Sequence, residues 1–211
     1  MTTNLSKQDR LPQIRVFVAV ELPADLREYL GTLQSSVKAS ADVAKWVAPE
    51  LLHITLRFLG EIPEQRMSAV ELATRAAAGT VKPFELRLAE TGAFPHARNP
   101  RVLWVGLEPD AGVLALQRLQ EAAEYQLDQH AFGREQKQFS PHITIGRLRD
   151  RSTSRERRDL GEAWLLVSDW LHRFPRSFPV DTVTVMRSDL GSGGPRYIPL
   201  ARIPLDQNTE P

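Results

Sequence analysis

Apolar positions along this chain fall into short dense or alternating runs separated by stretches with helical spacing. IRVFVAVEL at 14–22 is rich in β-branched and aromatic residues and predicts a strand. Pro23 and Asp25 then open a helix with Leu26, Leu30, Leu33 and Val37 on one stripe. A strand is expected at 52–59. Pro63 starts a second helix through about Ala78, with Met67, Val70, Ala73 and Ala77 in register. FELRLAE at 84–90 is a third strand, and the turn-rich TGAFPHARNP follows.

The order then repeats. RVLWVGLE at 101–108 matches RVFVAVEL at 15–22 almost position for position. A helix at about 112–129 is striped by Val113, Leu116, Leu119, Ala123 and Leu127. A strand at 142–148 and a helix at about 155–171, carrying Leu160, Trp164, Val167 and Leu171, come next. DTVTVMRS and RYIPLARIPL are two further strands around GSGGP, read as a flexible hairpin loop, and the closing DQNTEP is expected to fray. GSGGP lacks the Lys-Ser/Thr ending of a P-loop and leads into no helix. The two halves, about 14–92 and 100–205, each read strand–helix–strand–helix–strand. They predict an α/β (α+β) fold of two similar lobes, each with a small mixed or antiparallel sheet and flanking helices. The whole chain, 1–211, reads as one such domain.

His-Ile-Thr occurs twice, at His53–Thr55 and His142–Thr144, at the same stage of each repeat. A given His-x-Thr is expected roughly 0.2–0.3 times by chance in a chain of this length. Two copies at matching positions therefore point to function. A strand sends residues i and i+2 to one face, so each His shares a face with its Thr. Ile54, Leu56 and Phe58 then take the core face of the first strand. Histidine titrates near neutrality, so one ring can take a proton while the other gives one. Threonine hydroxyls can donate to phosphate oxygens as charge builds on them. Phosphodiester cleavage needs these parts and no metal. Two histidines fall short of the three or four protein ligands that zinc takes, and no HExxH accompanies them.

Arg57 shares the His53 face by alternation and is the favoured cationic phosphate contact. Arg147 leaves the His142 face unless that strand twists or bulges. Trp46 is a candidate for stacking on a terminal base. His96, His130 and His172 lack comparable context and read as structural or surface residues. The segment RLRDRSTSRERRD at 147–159 carries six arginines and reads first as a solvated loop entering a helix, with RNA steering as the alternative.

The 211 residues carry a net charge of +1, so any anion site must come from local placement rather than bulk charge. There is no cysteine, which excludes disulfides, thiolate metal sites and thiol nucleophiles. MTTNLSKQDR is polar and lacks the apolar stretch of a signal peptide, and no run is long enough to span a bilayer. A cytoplasmic, monomeric protein is expected.

PELLHITLRFLGE and FSPHITIGRL resemble the paired motifs of the two-histidine phosphoesterase superfamily. RVFVAVELP, KWVAPELLHITLRFLG, PRVLWVGLE and MRSDLGSGGPRYIPLARIPL extend the resemblance to its LigT-like RNA 2′,3′-cyclic phosphodiesterases. The resemblance implies a bilobal, pseudo-twofold α/β fold with the active-site cleft between lobes. It implies metal-independent, cofactor-free hydrolysis of a terminal 2′,3′-cyclic phosphate to a 2′-phosphomonoester, on RNA 3′ ends or nucleotides. By motif, His53 becomes the general acid, His142 the general base, and Thr55 and Thr144 the phosphate holders, with Tyr197 in the resembling closing segment among the substrate contacts. Alternatives on the same scaffold are a 2′-5′ RNA ligase or 2′,5′-phosphodiesterase, or a non-catalytic RNA-end binding module. Gly146 stands where such proteins commonly carry a larger residue.

Overall fold

Among the described residues, nine antiparallel strands form one sheet, and the short strand Ala44–Trp46 pairs with Ile143–Leu148. The computed structural model describes residues 11–38, 43–191 and 194–207. In chain order the elements are β1 (Gln13–Glu21), α1 (Ala24–Lys38), β2 (Ala44–Trp46), β3 (His53–Pro63), α2 (Met67–Ala78), β4 (Phe84–Phe94), β5 (Val102–Leu107), α3 (Ala111–Gln129), β6 (Ile143–Leu148), α4 (Ser154–Leu166), α5 (Ser168–Arg173), β7 (Ser177–Val180), β8 (Thr182–Gly191) and β9 (Gly194–Pro204). MTTNLSKQDR, Ser192 and Gly193 of the glycine-rich loop, and the last four residues of DQNTEP lie outside the described residues.

The two half-sheets expected of the repeat join at their centre. β6, β5, β4 and β7 lead away from the joint on one side, and β3, β1, β8 and β9 on the other. The repeated strands β1 and β5 therefore hold equivalent places. One face of the sheet packs on the helices. Val16, Val18 and Val20 of β1 enter that core together with Leu26, Leu30 and Leu33 of α1. Phe17 and Ala19, the alternate residues of β1, face the other way and pack with Met186 and Tyr197. The stripes read from the sequence are buried, apart from Met67, which packs at the margin of the core.

The predicted helix at 155–171 is broken. Thr91 Oγ1 donates to the Trp164 carbonyl at 2.7 Å, and Ser168 Oγ accepts from Thr91 N at 2.8 Å. Those side-chain bonds engage the groups at the break, and α5 starts anew after Val167. β4 runs on through TGAF, which composition had assigned to a connection. β2 and β7, of three and four residues, are too short to show a period. Pro179 sits in β7 at the sheet edge, where a missing N–H is tolerated.

Asp110 caps α3 by accepting from the Gly112 and Val113 amides. Gly112 also presses on β4, where an added Cβ would lie 1.9 Å from the Glu85 carbonyl oxygen. Propensity alone makes Gly112→Ala stabilising by about 1 kcal/mol. The contact reverses the sign, and the variant is expected to lose about 1–3 kcal/mol of unfolding free energy in a urea titration.

Candidate functional site

The two His-Ile-Thr segments meet at the joint of the sheet. β3 and β6 pair at one register position, Ile54 with Ile143. Antiparallel register then sets His53 across from Thr144 and Thr55 across from His142. Both isoleucines are fully buried, which turns the four polar side chains to the opposite face. They line a cleft of about 880 Å³, with Arg147, Phe58, Arg15 and Tyr197 among its other walls.

Each imidazole is held in the same way. His53 Nδ1 lies 2.7 Å from the Leu51 carbonyl oxygen, and His142 Nδ1 lies 2.7 Å from the Ser140 carbonyl oxygen. In both cases the acceptor belongs to the residue two places before the histidine. A carbonyl only accepts, so Nδ1 carries the hydrogen and Nε2 is the nitrogen left to exchange a proton. His53 Nε2 is 3.0 Å from Thr55 Oγ1. Tyr197 and Phe17 pack on the His53 ring, with ring centroids 5.3 and 5.0 Å away. Phe94 sets its edge against His142 at 5.1 Å.

Burial lowers the pKa of both histidines, because a desolvated imidazole resists charge. The carbonyl bonds from Leu51 and Ser140 oppose this. The positive charge of Arg147 lowers both rings further, and His142 itself lowers His53. Burial raises the Tyr197 hydroxyl, with Arg147 and Arg15 acting in the opposite sense. Arg147 thus acts on three side chains of one cleft.

Matching irregularities follow the two motifs. Thr55 pairs with Ala19 and Arg57 with Val18, which leaves Leu56 as an extra residue in β3. Thr144 pairs with Trp104 and Gly146 with Leu103, which leaves Ile145 extra in β6. Such a bulge shifts the facing of the residues that follow it by one place. Arg147 therefore lines the cleft, as only a bulged strand allows. By the same shift, Phe58 is 41% exposed in the cleft wall rather than in the core, with the Arg15 guanidinium 4.7 Å from its ring centroid.

Arg57 and Trp46 have other partners in the fold. Arg57 is among the residues lining the cleft, but its guanidinium is engaged from the side away from it. Arg57 is 6% exposed, and its guanidinium donates to both oxygens of Glu124, at 2.9 and 3.1 Å, and to the Gly133 carbonyl at 3.0 Å. Trp46 is not among the residues lining the cleft. Its ring centroid lies 6.2 Å from that of Trp164, and a Cβ at Gly146 would come within 3.1 Å of it. That neighbour accounts for the glycine in the second motif.

Arg15, Phe17, Phe94 and Lys137 also line the cleft and were not singled out in the sequence. Alternation from Arg15 to Phe17 marks a shared face. Its nearness to His53 appears only once β1 is laid beside β3. His96, His130 and His172 stand outside the cleft lining. The arginine-rich segment supplies Arg147 and then enters α4 through a Thr153–Glu156 capping box, with Arg157 donating to the Ser152, Arg149 and Asp150 carbonyls. Among the described residues, no group of three or more His, Cys, Asp or Glu is placed to hold a metal ion, and no helix is long and apolar enough to cross a membrane.

The model of the family described as LigT like Phosphoesterase matches residues 20–104. An RNA 2′,3′-cyclic phosphodiesterase of Methanothermobacter thermautotrophicus is 31% identical over 185 residues, covering 88% of this chain and 95% of the relative. A protein of the same name from Thermus thermophilus is 30% identical over 194 residues, covering 91% of this chain and 90% of the relative. Among solved structures, TT0787 of Thermus thermophilus superposes with a TM-score of 0.69 at 30% identity, over 92% of this chain and 98% of that one. LigT of E. coli complexed with 3′-AMP gives 0.68 at 26% identity, over 93% and 100% of the two chains. Sequence match, shared fold and the paired motifs agree that this chain belongs to the LigT-like phosphoesterase family.

Proposed function

We propose that this protein hydrolyses terminal 2′,3′-cyclic phosphates of RNA 3′ ends or nucleotides to 2′-phosphomonoesters, with His53 as general acid, His142 as general base and no metal ion. The observation that carries this reading is the meeting of both His-Ile-Thr strands at one register pair facing one cleft. The names of the relatives support the substrate class, and the 3′-AMP complex of E. coli LigT supports nucleotide binding by this fold.

In the proposed step, His142 Nε2 takes a proton from water and the water oxygen attacks phosphorus. The P–O3′ bond breaks, and His53 delivers its Nε2 proton to the departing O3′. The product carries a 2′-phosphate and a free 3′-hydroxyl. Thr55 and Thr144 donate to the non-bridging oxygens. Arg147, on the cleft face, supplies the cationic contact, since the Arg57 guanidinium is engaged by Glu124 and the Gly133 carbonyl. Tyr197 walls the His53 side. The oriented tautomers fit these roles, since Nδ1–H is committed to a carbonyl and Nε2 is left for exchange.

His53→Ala and His142→Ala are each expected to lower kcat roughly 10²–10⁴-fold while circular dichroism stays native. The assay follows a cyclic-phosphate oligonucleotide by phosphorus NMR, which also identifies the 2′-phosphate product. Wild-type rate is expected to be unchanged by chelator. Near-normal turnover in both variants overturns the proposal.

The pH dependence follows from the lowered histidines. In the free enzyme the reactive form holds one proton across the two rings. That proton is lost above the lowered pKa values, so kcat/KM falls as pH rises through a range below the ordinary histidine value. A bound phosphate is an anion and favours imidazolium. The basic limb of kcat is therefore expected at higher pH than that of kcat/KM.

A further inference from the structure

We infer that the buried Arg57–Glu124 pair is a positioning device for His142, acting through the segment that leads into the second motif. The inference rests on the proposed role of His142 and goes beyond it.

The two imidazoles have unequal support. His53 takes its carbonyl from Leu51, which closes a 3₁₀ turn at Pro49–Leu51. That turn is held by Leu51 N donating to Ala48 and Leu52 N donating to Pro49. His142 takes its carbonyl from Ser140, in an irregular stretch. Among the described residues, 133–141 make no backbone–backbone hydrogen bond outside regular elements. Something else must fix that stretch if Ser140 is to fix the ring.

Arg57 does so from the strand of His53. One arm of its guanidinium binds Glu124 of α3 and the other donates to the Gly133 carbonyl. Glu124 accepts in turn from the Glu135 amide at 3.1 Å. The Glu135 carboxylate then accepts from the Gln136 and Lys137 amides, at 3.0 and 3.3 Å. Phe139 packs against the core immediately before Ser140. Hydrogen bonds run from Arg57 through Glu124 and Glu135 to the Lys137 amide, and the backbone from there, anchored at Phe139, leads to Ser140 and so to His142. This path starts at the residue that follows the bulge at Leu56, with the Arg57 guanidinium buried at the edge of the cleft. The equivalent place in β6 is Gly146, which offers no side chain. Each half therefore contributes one ring, and the first half also braces the second.

The test reads ring geometry and turnover separately. Nitrogen-15 NMR of the histidine rings in the substrate-free enzyme reports the tautomer of each. Adenosine 2′,3′-cyclic phosphate is the kinetic probe. Arg57→Met is expected to release the Nδ1–H tautomer of His142 and leave that of His53 in place. It should lower kcat at least tenfold with KM changed less than threefold. Arg57→Lys, which can reach Glu124 but not also Gly133, should recover part of kcat. Glu124→Gln keeps the shape and should move the same ring; it decides the matter if Arg57→Met does not fold. Unchanged His142 signals in the folded variants, or equal disturbance of both rings, overturns the inference. An enzyme whose rings respond as expected but which never turns over the probe refutes the proposed function and leaves the positioning role standing.

Discussion

One backbone pairing sets the whole site: Ile54 against Ile143. Strand side chains alternate, so a one-residue slip would bury the two imidazoles and expose the two isoleucines. Each isoleucine is fully buried, and burial of such a side chain stabilises by about 1.5–3 kcal/mol. The apolar core thus enforces the register that brings two histidines, far apart in sequence, to one face. Site geometry is in this sense a by-product of core packing, and strengthening the core strengthens the site.

The bulges after each motif break the symmetry that the duplication creates. Pairing is alike directly after each motif, with an extra residue at Leu56 and at Ile145, and β3 alone takes up another at Leu59. The side chains delivered by that geometry differ. The cleft receives Phe58 from one half and Arg147 from the other. At the place after each extra residue one half carries Arg57, buried against Glu124, and the other carries Gly146. A symmetric scaffold thereby presents an aromatic wall on one flank and a cation on the opposite one, suiting an asymmetric ligand.

Local placement does the electrostatic work in a molecule of net charge +1. Arg15, Lys137 and Arg147 line the cleft with Glu135, while Glu124 is occupied by Arg57. Cations and burial together hold the rings toward neutrality in the empty cleft. In the proposed reaction an arriving phosphate reverses that bias, so binding and protonation of the site are linked.

Much of the fold and the paired motifs was legible in sequence. The strands at 14–22, 101–108 and 142–148, and the helical stripes at Leu26–Val37 and Val113–Leu127, showed their periods because one face of each must be apolar. His53 and His142 stood out because their spacing recurred in matched halves. Facing beyond the motifs was not legible. Phe58 and Arg147 were placed by alternation, and the bulges that overturn alternation arise only when β3 lies against β1 and β6 against β5. Trp46 looked like a stacking platform until Gly146 and Trp164 were seen beside it. The chain by itself determined the elements, the duplication and the residue chemistry, since these follow from local periodicity and composition. Tertiary structure alone decided which side chains share the cleft, since that depends on strand partners and on where a ladder takes up one residue too many.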